Sequence, residues 1–469
     1  MVFLLFAPQI GCAEDISPTT LPSKIDKILD NRELKHTKMG VKVISLDKGD
    51  TLFEKNADLP LIPASNAKII TAATALKLMK PSYKFKTSIF TNGKIQNGVL
   101  NGNLYIKGTG DTFFVTEQIY YIANELSREG FKEVTGNLII DDTYFDIDYK
   151  IPSGDRAFVA PVGAVSANFN SIAIYVRPGK RVGDPAIVIL DPPNSFVSVK
   201  NKSQTVSTKK KTSLNVKRIS AGKNKNKIEV TGKISINTPE RRYYRSISNP
   251  PIYAGAVIQS VFAQRGIKIR GDILRGKTPK QAKELLQYNS KSLALVTKDL
   301  LNFSNNMIAD QLVKSMGAFK HDAPGSMKNG LDAIKEELTS MGIPLKNFKL
   351  VDGSGFDRKN RLTAEQILKV MEQIQKDPEL FPAFWFGMTV AGIEGTLEKR
   401  FLKTAAKGRL RAKTGSLTGV SSLVGFAPSA DGELLAFAIL MNDSKGKSRE
   451  LQRFQDQIGD LLCRFSRRQ

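Results

Sequence analysis

The feature that most limits the fold is a change of texture along the chain that reverses before the end. Residues 22–35 place Ile25, Ile28 and Leu29 at helical spacing. GVKVISL (40–46) and TLFEK (51–55) flank the turn DKGD and read as a hairpin. Pro63 and Ser65 are helix-start signals, and Ala-rich apolar sequence follows to about Lys80. Residues 86–145 then switch to short alternating strands and turns, such as SIFTNGKI, GNLYIKGTGD and GNLIIDDTYF. Residues 171–237 are strand-like again, with many Lys and Ser. From about 240 the pattern turns helical. KSLALVTKDLLNFSNNMIADQLVKSMG reads as two helices around a loop, and Thr363 with Gln366 forms a capping box. RLRAKTGSL, VSSLVGFAP and ELLAFAILMND read as successive antiparallel strands, the last two joined at Asp431-Gly432. Leu451, Phe454, Ile458, Leu461 and Phe465, at spacings 3, 4, 3 and 4, form a stripe suited to packing on that sheet. The two ends of the chain are therefore expected to make one α/β unit, interrupted by a β-rich insertion.

Composition narrows the surroundings rather than the fold. The 469 residues suggest about two to four domains. With 41% hydrophobic and 25% charged residues, a disordered or collagen-like chain is excluded. A net charge of +25 points to polyanionic surroundings: nucleic acid, anionic lipid or an acidic polymer. Part of it is concentrated in residues 200–228, where Lys200, Lys202, Lys209, Lys210, Lys211, Lys217, Arg218, Lys223, Lys225 and Lys227 occur with no acid. That stretch reads as a solvated loop or edge strand, with a polyanion site as the alternative. Val2–Ile10 is apolar but too short to span a bilayer, and Gly11 and Ala13 make a small-residue cleavage site. Residues 1–13 are thus expected to be the end of a secretory signal, with a buried N-terminal strand as the alternative. Export leaves nucleic acid an improbable partner. Cleavage removes Cys12, and Cys463 alone cannot form an intrachain disulfide.

The residues available for chemistry are few in kind. Two histidines, His36 and His321, both read as lying in loops, make a Ser–His–Asp triad or a His/Cys metal cluster implausible, so no metal is expected. No phosphate-binding loop occurs, and GTGD at 108–111 reads as a turn. A serine can instead be activated by lysine. S-x-x-K occurs five times, at Ser45, Ser65, Ser207, Ser220 and Ser444, but only Ser65 opens a long helix. There the spacing puts Ser65 Oγ and Lys68 Nζ on one face, with the helix N-terminus favouring a developing alkoxide. Ser65 N–H is free to help bind an oxyanion. Lys68 must be neutral part of the time, which burial and a nearby Lys413 would encourage. K-T-G occurs once, at 413–415, in a strand. Gly415 would let a substrate backbone approach that strand edge, Lys413 and Thr414 could bind a substrate carboxylate, and Ser416 N–H could complete the oxyanion site. S-x-N occurs at Ser166, Ser213, Ser235 and Ser304. Ser304–Asn306 fits best, between two helices: Ser304 to relay a proton to the leaving amine, Asn306 to hold Lys68 and the substrate amide.

These elements in this order resemble the class C low-molecular-mass penicillin-binding proteins, D-alanyl-D-alanine carboxypeptidase/endopeptidases. PASNAK, FSNNMIADQL, VDGSGFDR, AGIEGTLEKR and AKTGSLTGVSSLVGF carry the resemblance, with GNLIIDDTYF and APVGAVSANFN resembling the family's inserted region. The loop departs from the commoner GSGLSR at Phe356 and Asp357, while Arg358 keeps the family's arginine and is expected to contact substrate. The resemblance implies a penicillin-binding/β-lactamase-like catalytic domain at 14–85 and 280–469. It implies a second domain at 86–170 and 238–279, and a third nested within it at 171–237. It further implies a periplasmic enzyme without metal or cofactor, acting on peptidoglycan stem peptides through a Ser65 acyl-enzyme and acylated by β-lactam antibiotics. The alternatives left open are a β-lactamase or related serine esterase, and a non-catalytic wall-binding protein. Peripheral association with an anionic wall or membrane surface is compatible with each.

Overall fold

The computed structural model describes residues 16–147, 154–221, 225–443 and 448–468. The expected signal segment lies outside them. The fold is mixed α/β, and its two chain ends do meet in one sheet of six antiparallel strands. The order is Thr389–Val390, Arg411–Leu417, Val420–Pro428, Leu434–Asn442, Lys38–Ser45, Thr51–Lys55. The N-terminal hairpin joins at full register, Lys38 opposite Asn442 through Ser45 opposite Leu435. The turn at Gly432 takes a φ of +89°, open to glycine.

Strand Leu434–Asn442 shows why the ends must be brought together. Side chains alternate across a strand. Leu435, Phe437, Ile439 and Met441 face one core, shared with helices Leu21–Leu29 and Ser448–Arg464. Ala436, Ala438 and Leu440 face the other, shared with helices Ala67–Met79, Leu293–Phe303, Asn306–His321, Met327–Ser340 and Ala364–Gln375. A strand buried on both faces needs cover on both, and residues from the two chain ends supply one side. Leu451, Phe454, Ile458, Leu461 and Phe465 are buried in that first layer, as their spacing requires. The capping box at Thr363 and Gln366 is present.

Between the ends, the described residues form four smaller sheets and two α-helices, Thr116–Arg128 and Pro250–Gln264, around a separate core. The chain does not turn wholly helical at 240: Arg241–Ser246, Lys268–Ile269, Ile273–Arg275 and Lys283–Ser292 are strands. The last pairs antiparallel with Lys84–Thr91, so it belongs to the inserted sheet rather than beside the helices that follow it. Its partner lies some two hundred residues earlier, and local periodicity carries no trace of such a pairing. His321, read as a loop residue, ends the helix Asn306–His321 and is exposed. Among the described residues, no helix is long and apolar enough to cross a membrane.

Candidate active site

Ser65 sits in a single 3-10 turn, Ala64–Asn66, that runs directly into helix Ala67–Met79. The turn is held against the sheet from several sides. Asn442 bonds both the N–H and the carbonyl of Ile62, at 2.8 and 3.1 Å. Ser422 Oγ donates to Pro63 O at 2.8 Å. Ala64 adopts a φ of +48°, a strained backbone for a residue with a side chain. Gly415 and Gly355 make room for it: a Cβ on Gly415 would stand 2.2 Å from Ser422 Oγ and 2.7 Å from Pro63 O, and one on Gly355 1.8 Å from Ala64 O. What approaches the strand there is the protein's own serine-bearing turn.

One helical turn on, Lys68 is wholly buried and its Nζ has three partners. These are Ser65 Oγ at 3.0 Å, Asn306 Oδ1 at 2.8 Å and the Ser354 carbonyl at 2.7 Å. Asn306 opens the helix Asn306–His321, while Ser304 links the two helices with a left-handed φ of +56°. Asn306 Nδ2 donates to Phe158 O at 3.0 Å, which fixes its amide with the oxygen toward Lys68. Lys413, also wholly buried, donates to Ser304 Oγ at 2.9 Å and to Thr414 O at 2.7 Å. Thr414 is half-buried and Ser416 exposed on the same strand. That strand is paired on its outer side only at Arg411 and Ala412, so Lys413–Leu417 offers an edge with no neighbouring strand among the described residues. Arg358 lies in the loop below and donates to Thr418 O at 2.9 Å. The structure thus gathers Ser65, Lys68 and Asn306 into one hydrogen-bonded group and Ser304 and Lys413 into another, two residues away along the chain, beside the strand carrying Thr414, Gly415 and Ser416. Arg358 is attached to the end of that strand.

The electrostatics differ in one respect from expectation. Burial brings Lys68 down to about 8, but the charges acting most on it are the carboxylates of Asp310 and Asp352, which work the other way. Lys413 is held well below its ordinary value, by burial first and by the neighbouring Lys68 second. Burial, with Asp352 alongside, pushes Asp310 up to about 7. Neither carboxylate was singled out in the sequence. Asp310 follows Asn306 by four residues, hence on the same helix face, and that spacing is the one signal that pointed to it. A cavity of about 840 Å³ opens beside Ser304 and Asn306 toward the inserted region, lined by Phe113, Glu117, Phe169, Tyr175 and Asp191 among others.

The site thus pairs a serine at a helix start with a buried lysine, on an antiparallel sheet between helical layers, and gathers no histidine. The chain belongs to the D-Ala-D-Ala carboxypeptidase 3 (S13) family, whose model matches residues 21–462. It is 30% identical to a D-alanyl-D-alanine carboxypeptidase of an Actinomadura species, over 95% of this chain and 85% of that protein. The crystal structure of penicillin binding protein 4 (dacB) from Haemophilus influenzae superposes with a TM-score of 0.79 at 25% identity. The match covers 93% of this chain and 98% of that one. A second structure of that Haemophilus protein, complexed with a β-lactam, gives 0.75 at 26% identity over the same shares. The protein is accordingly an enzyme of the D-Ala-D-Ala carboxypeptidase class.

Proposed function

We propose that Ser65 is the nucleophile of a carboxypeptidase and endopeptidase acting on peptidoglycan stem peptides, with Lys68 as its base. The observation that carries this reading is the set of three partners around Lys68 Nζ. Asn306 Oδ1 and Ser354 O can only accept, so they take N–H bonds in either protonation state. A neutral amine has two N–H groups and one lone pair, and the third direction is Ser65. The lone pair therefore faces the hydroxyl it must deprotonate. Ser65 Oγ attacks the carbonyl of the penultimate D-Ala as its proton passes to Lys68. The N–H groups of Ser65 and Ser416 bind the oxyanion. Ser304, bonded to Lys413, gives its hydroxyl proton to the leaving amine and takes back the proton that Lys68 received, which returns Lys68 to the neutral amine; the C–N bond breaks, and water later hydrolyses the acyl-enzyme. Lys413 and Thr414 receive the terminal carboxylate, whose charge restores the proton affinity that burial takes from Lys413. Asn306 Nδ2 exchanges the Phe158 carbonyl for a substrate amide. The cavity beside Ser304 has room for far more than a terminal D-Ala, which supports peptide-sized leaving groups as well. No metal or cofactor enters these steps, and Arg358 contributes at the rim.

The setting follows from the same reading. The enzyme is exported to the periplasm, and residues 84–292 form an insertion whose outer strands meet the wall. The strands Val197–Val206, Asn226–Ser235 and Ser213–Ala221 place Lys200, Lys202, Lys217 and Lys227 around a single acid, Glu229, which lies opposite Lys200 and Lys217. This favours peripheral attachment to an anionic polymer or membrane surface. The deciding experiment for the catalytic reading is labelling with fluorescent penicillin. Ser65→Ala is expected to abolish the covalent adduct while leaving the thermal melt unchanged, and wild-type labelling in that variant sinks the assignment.

A further inference from the structure

The turn that carries the Ser354 carbonyl is itself fastened by a residue that touches neither Ser65 nor Lys68 through a hydrogen bond. Asp310 Oδ1 accepts the N–H of Gly353 at 2.9 Å and of Ser354 at 3.1 Å. Pinned by their N–H groups on that side, the two residues send their carbonyls to the other. Gly353 O accepts from Thr71 Oγ1 at 2.8 Å and Ser354 O from Lys68 Nζ at 2.7 Å. The turn is thus a bridge between helix Asn306–His321 and helix Ala67–Met79. It fits only because Gly353 lacks a side chain. A Cβ there would stand 2.5 Å from Val313 Cγ2 and 2.8 Å from Ala309 O, on the helix that holds Asp310. Beyond the turn, Asp352 accepts from Gly355 N at 2.6 Å, Asp357 N at 2.7 Å and Asn360 Nδ2 at 3.1 Å, so the loop is set from that end as well.

We propose that Asp310 is a positioning residue for acylation: by clamping the Gly353–Ser354 turn it holds the Ser354 carbonyl on one Lys68 hydrogen and so keeps the amine lone pair aimed at Ser65. This rests on Lys68 being the base. Without the clamp the carbonyl is free to swing away and Lys68 to rotate. The role belongs to the acceptor oxygen rather than to its charge. The charged groups acting on Asp310 are Asp352 and Lys68, and the Asp310 carboxylate raises the proton affinity of Lys68. Its removal should therefore move the lysine titration down, a separate and measurable effect.

The test is the rate of acylation by fluorescent penicillin as a function of pH in Asp310→Asn, Asp310→Ala, Gly353→Ala and Lys68→Ala. Asp310→Asn keeps an acceptor in place and should keep most of the plateau rate, with its acid limb displaced to lower pH. Asp310→Ala should lose about tenfold to a hundredfold in the plateau rate, the scale of two lost hydrogen bonds, with its acid limb displaced to lower pH as in Asp310→Asn. Non-covalent affinity for the β-lactam should stay unchanged. Gly353→Ala retains every titrating group and should show the same plateau loss, so it decides the matter if Asp310→Ala folds poorly. A wild-type plateau in either Asp310→Ala or Gly353→Ala overturns the proposal, as does an Asp310→Asn variant as slow as Asp310→Ala. Lys68→Ala separates the two readings. Wild-type acylation there overturns the base assignment itself, whereas loss there beside a wild-type Asp310→Ala overturns only the positioning role.

Discussion

At the residue scale, the site withholds water from two lysines. Lys68 and Lys413 are both fully buried, and burial disfavours their charged forms. With Lys68 brought to about 8, roughly a tenth is neutral at pH 7, against well under a thousandth for a free lysine. In the proposed role the neutral amine is the base, and that fixes the sign. Acylation by a β-lactam should rise with pH through about 8 and level off above it, and a flat profile between pH 6 and 9 would exclude Lys68 from that role. Lys413 acts differently. Its resting partners are Ser304 Oγ and Thr414 O, and in the proposed role a substrate carboxylate restores its charge and competes with them for its N–H groups. Lys413→Ala should lower kcat/KM for an acyl-D-Ala-D-Ala peptide by about 1.5–3 kcal/mol, the worth of a charge-assisted bond. The loss should be smaller for a thioester without the carboxylate. Equal losses on both substrates would place Lys413 in the proton relay alone.

At the element scale, what makes the cluster is the seating of one short turn on one strand. Ala64–Asn66 presses on strand Arg411–Leu417 where Gly415 leaves room, and Ser422 on the next strand reaches through to Pro63 O. Adding a methyl there overpacks a rigid contact, at a cost of about 1–3 kcal/mol. Gly415→Ala should lower the thermal midpoint and slow penicillin acylation together, because the displaced turn is the one that carries Ser65. A variant that melts early yet acylates at the wild-type rate would mean that the turn and the strand move as one body. The same scale explains the missed strand. Lys283–Ser292 is exposed or half-buried over nine of its ten positions, and its place is dictated by Lys84–Thr91 rather than by its own pattern.

At the scale of the whole molecule, the surplus charge is organised by the fold. In sequence, residues 200–228 hold ten basic residues and no acid, whereas the sheet brings Glu229 into their midst. There Lys202 bonds it at 3.0 Å, and Lys200 and Lys227 act on it from either side. Lys209, Lys210 and Lys211 sit apart, exposed in the connection between two strands. Contacts between exposed charges weaken as salt shortens the Debye length. Replacing Lys200, Lys202 and Lys217 by Gln should lower binding to isolated sacculi at low salt. Replacing Lys209, Lys210 and Lys211 should do the same, and both triple variants should hydrolyse a small acyl-D-Ala-D-Ala peptide at the wild-type rate. Sacculus binding unchanged in both would leave the lysines as guards of two free strand edges. Loss of small-peptide hydrolysis would put the patch beside the cleft.

The candidate cluster was legible because its geometry is local. Ser65 and Lys68 are one helical turn apart, Ser304 and Asn306 straddle a helix start, and Lys413 to Ser416 follow one another on a strand. Short-range geometry therefore sets each group before the chain closes. The two-ended sheet was legible for a related reason, since a strand as apolar as Leu434–Asn442 demands cover that its own neighbourhood cannot supply. What the sequence could not contain is which distant backbone atoms would meet these groups. The Ser354 carbonyl on Lys68 lies 286 positions away, and the Asp310 clamp on Gly353 spans 43. Every residue carries the same N–H and C=O, so a side chain that bonds to them leaves no mark in residue type. Only the tertiary structure decides which of those identical groups is brought within reach, and with it the direction in which Lys68 holds its lone pair.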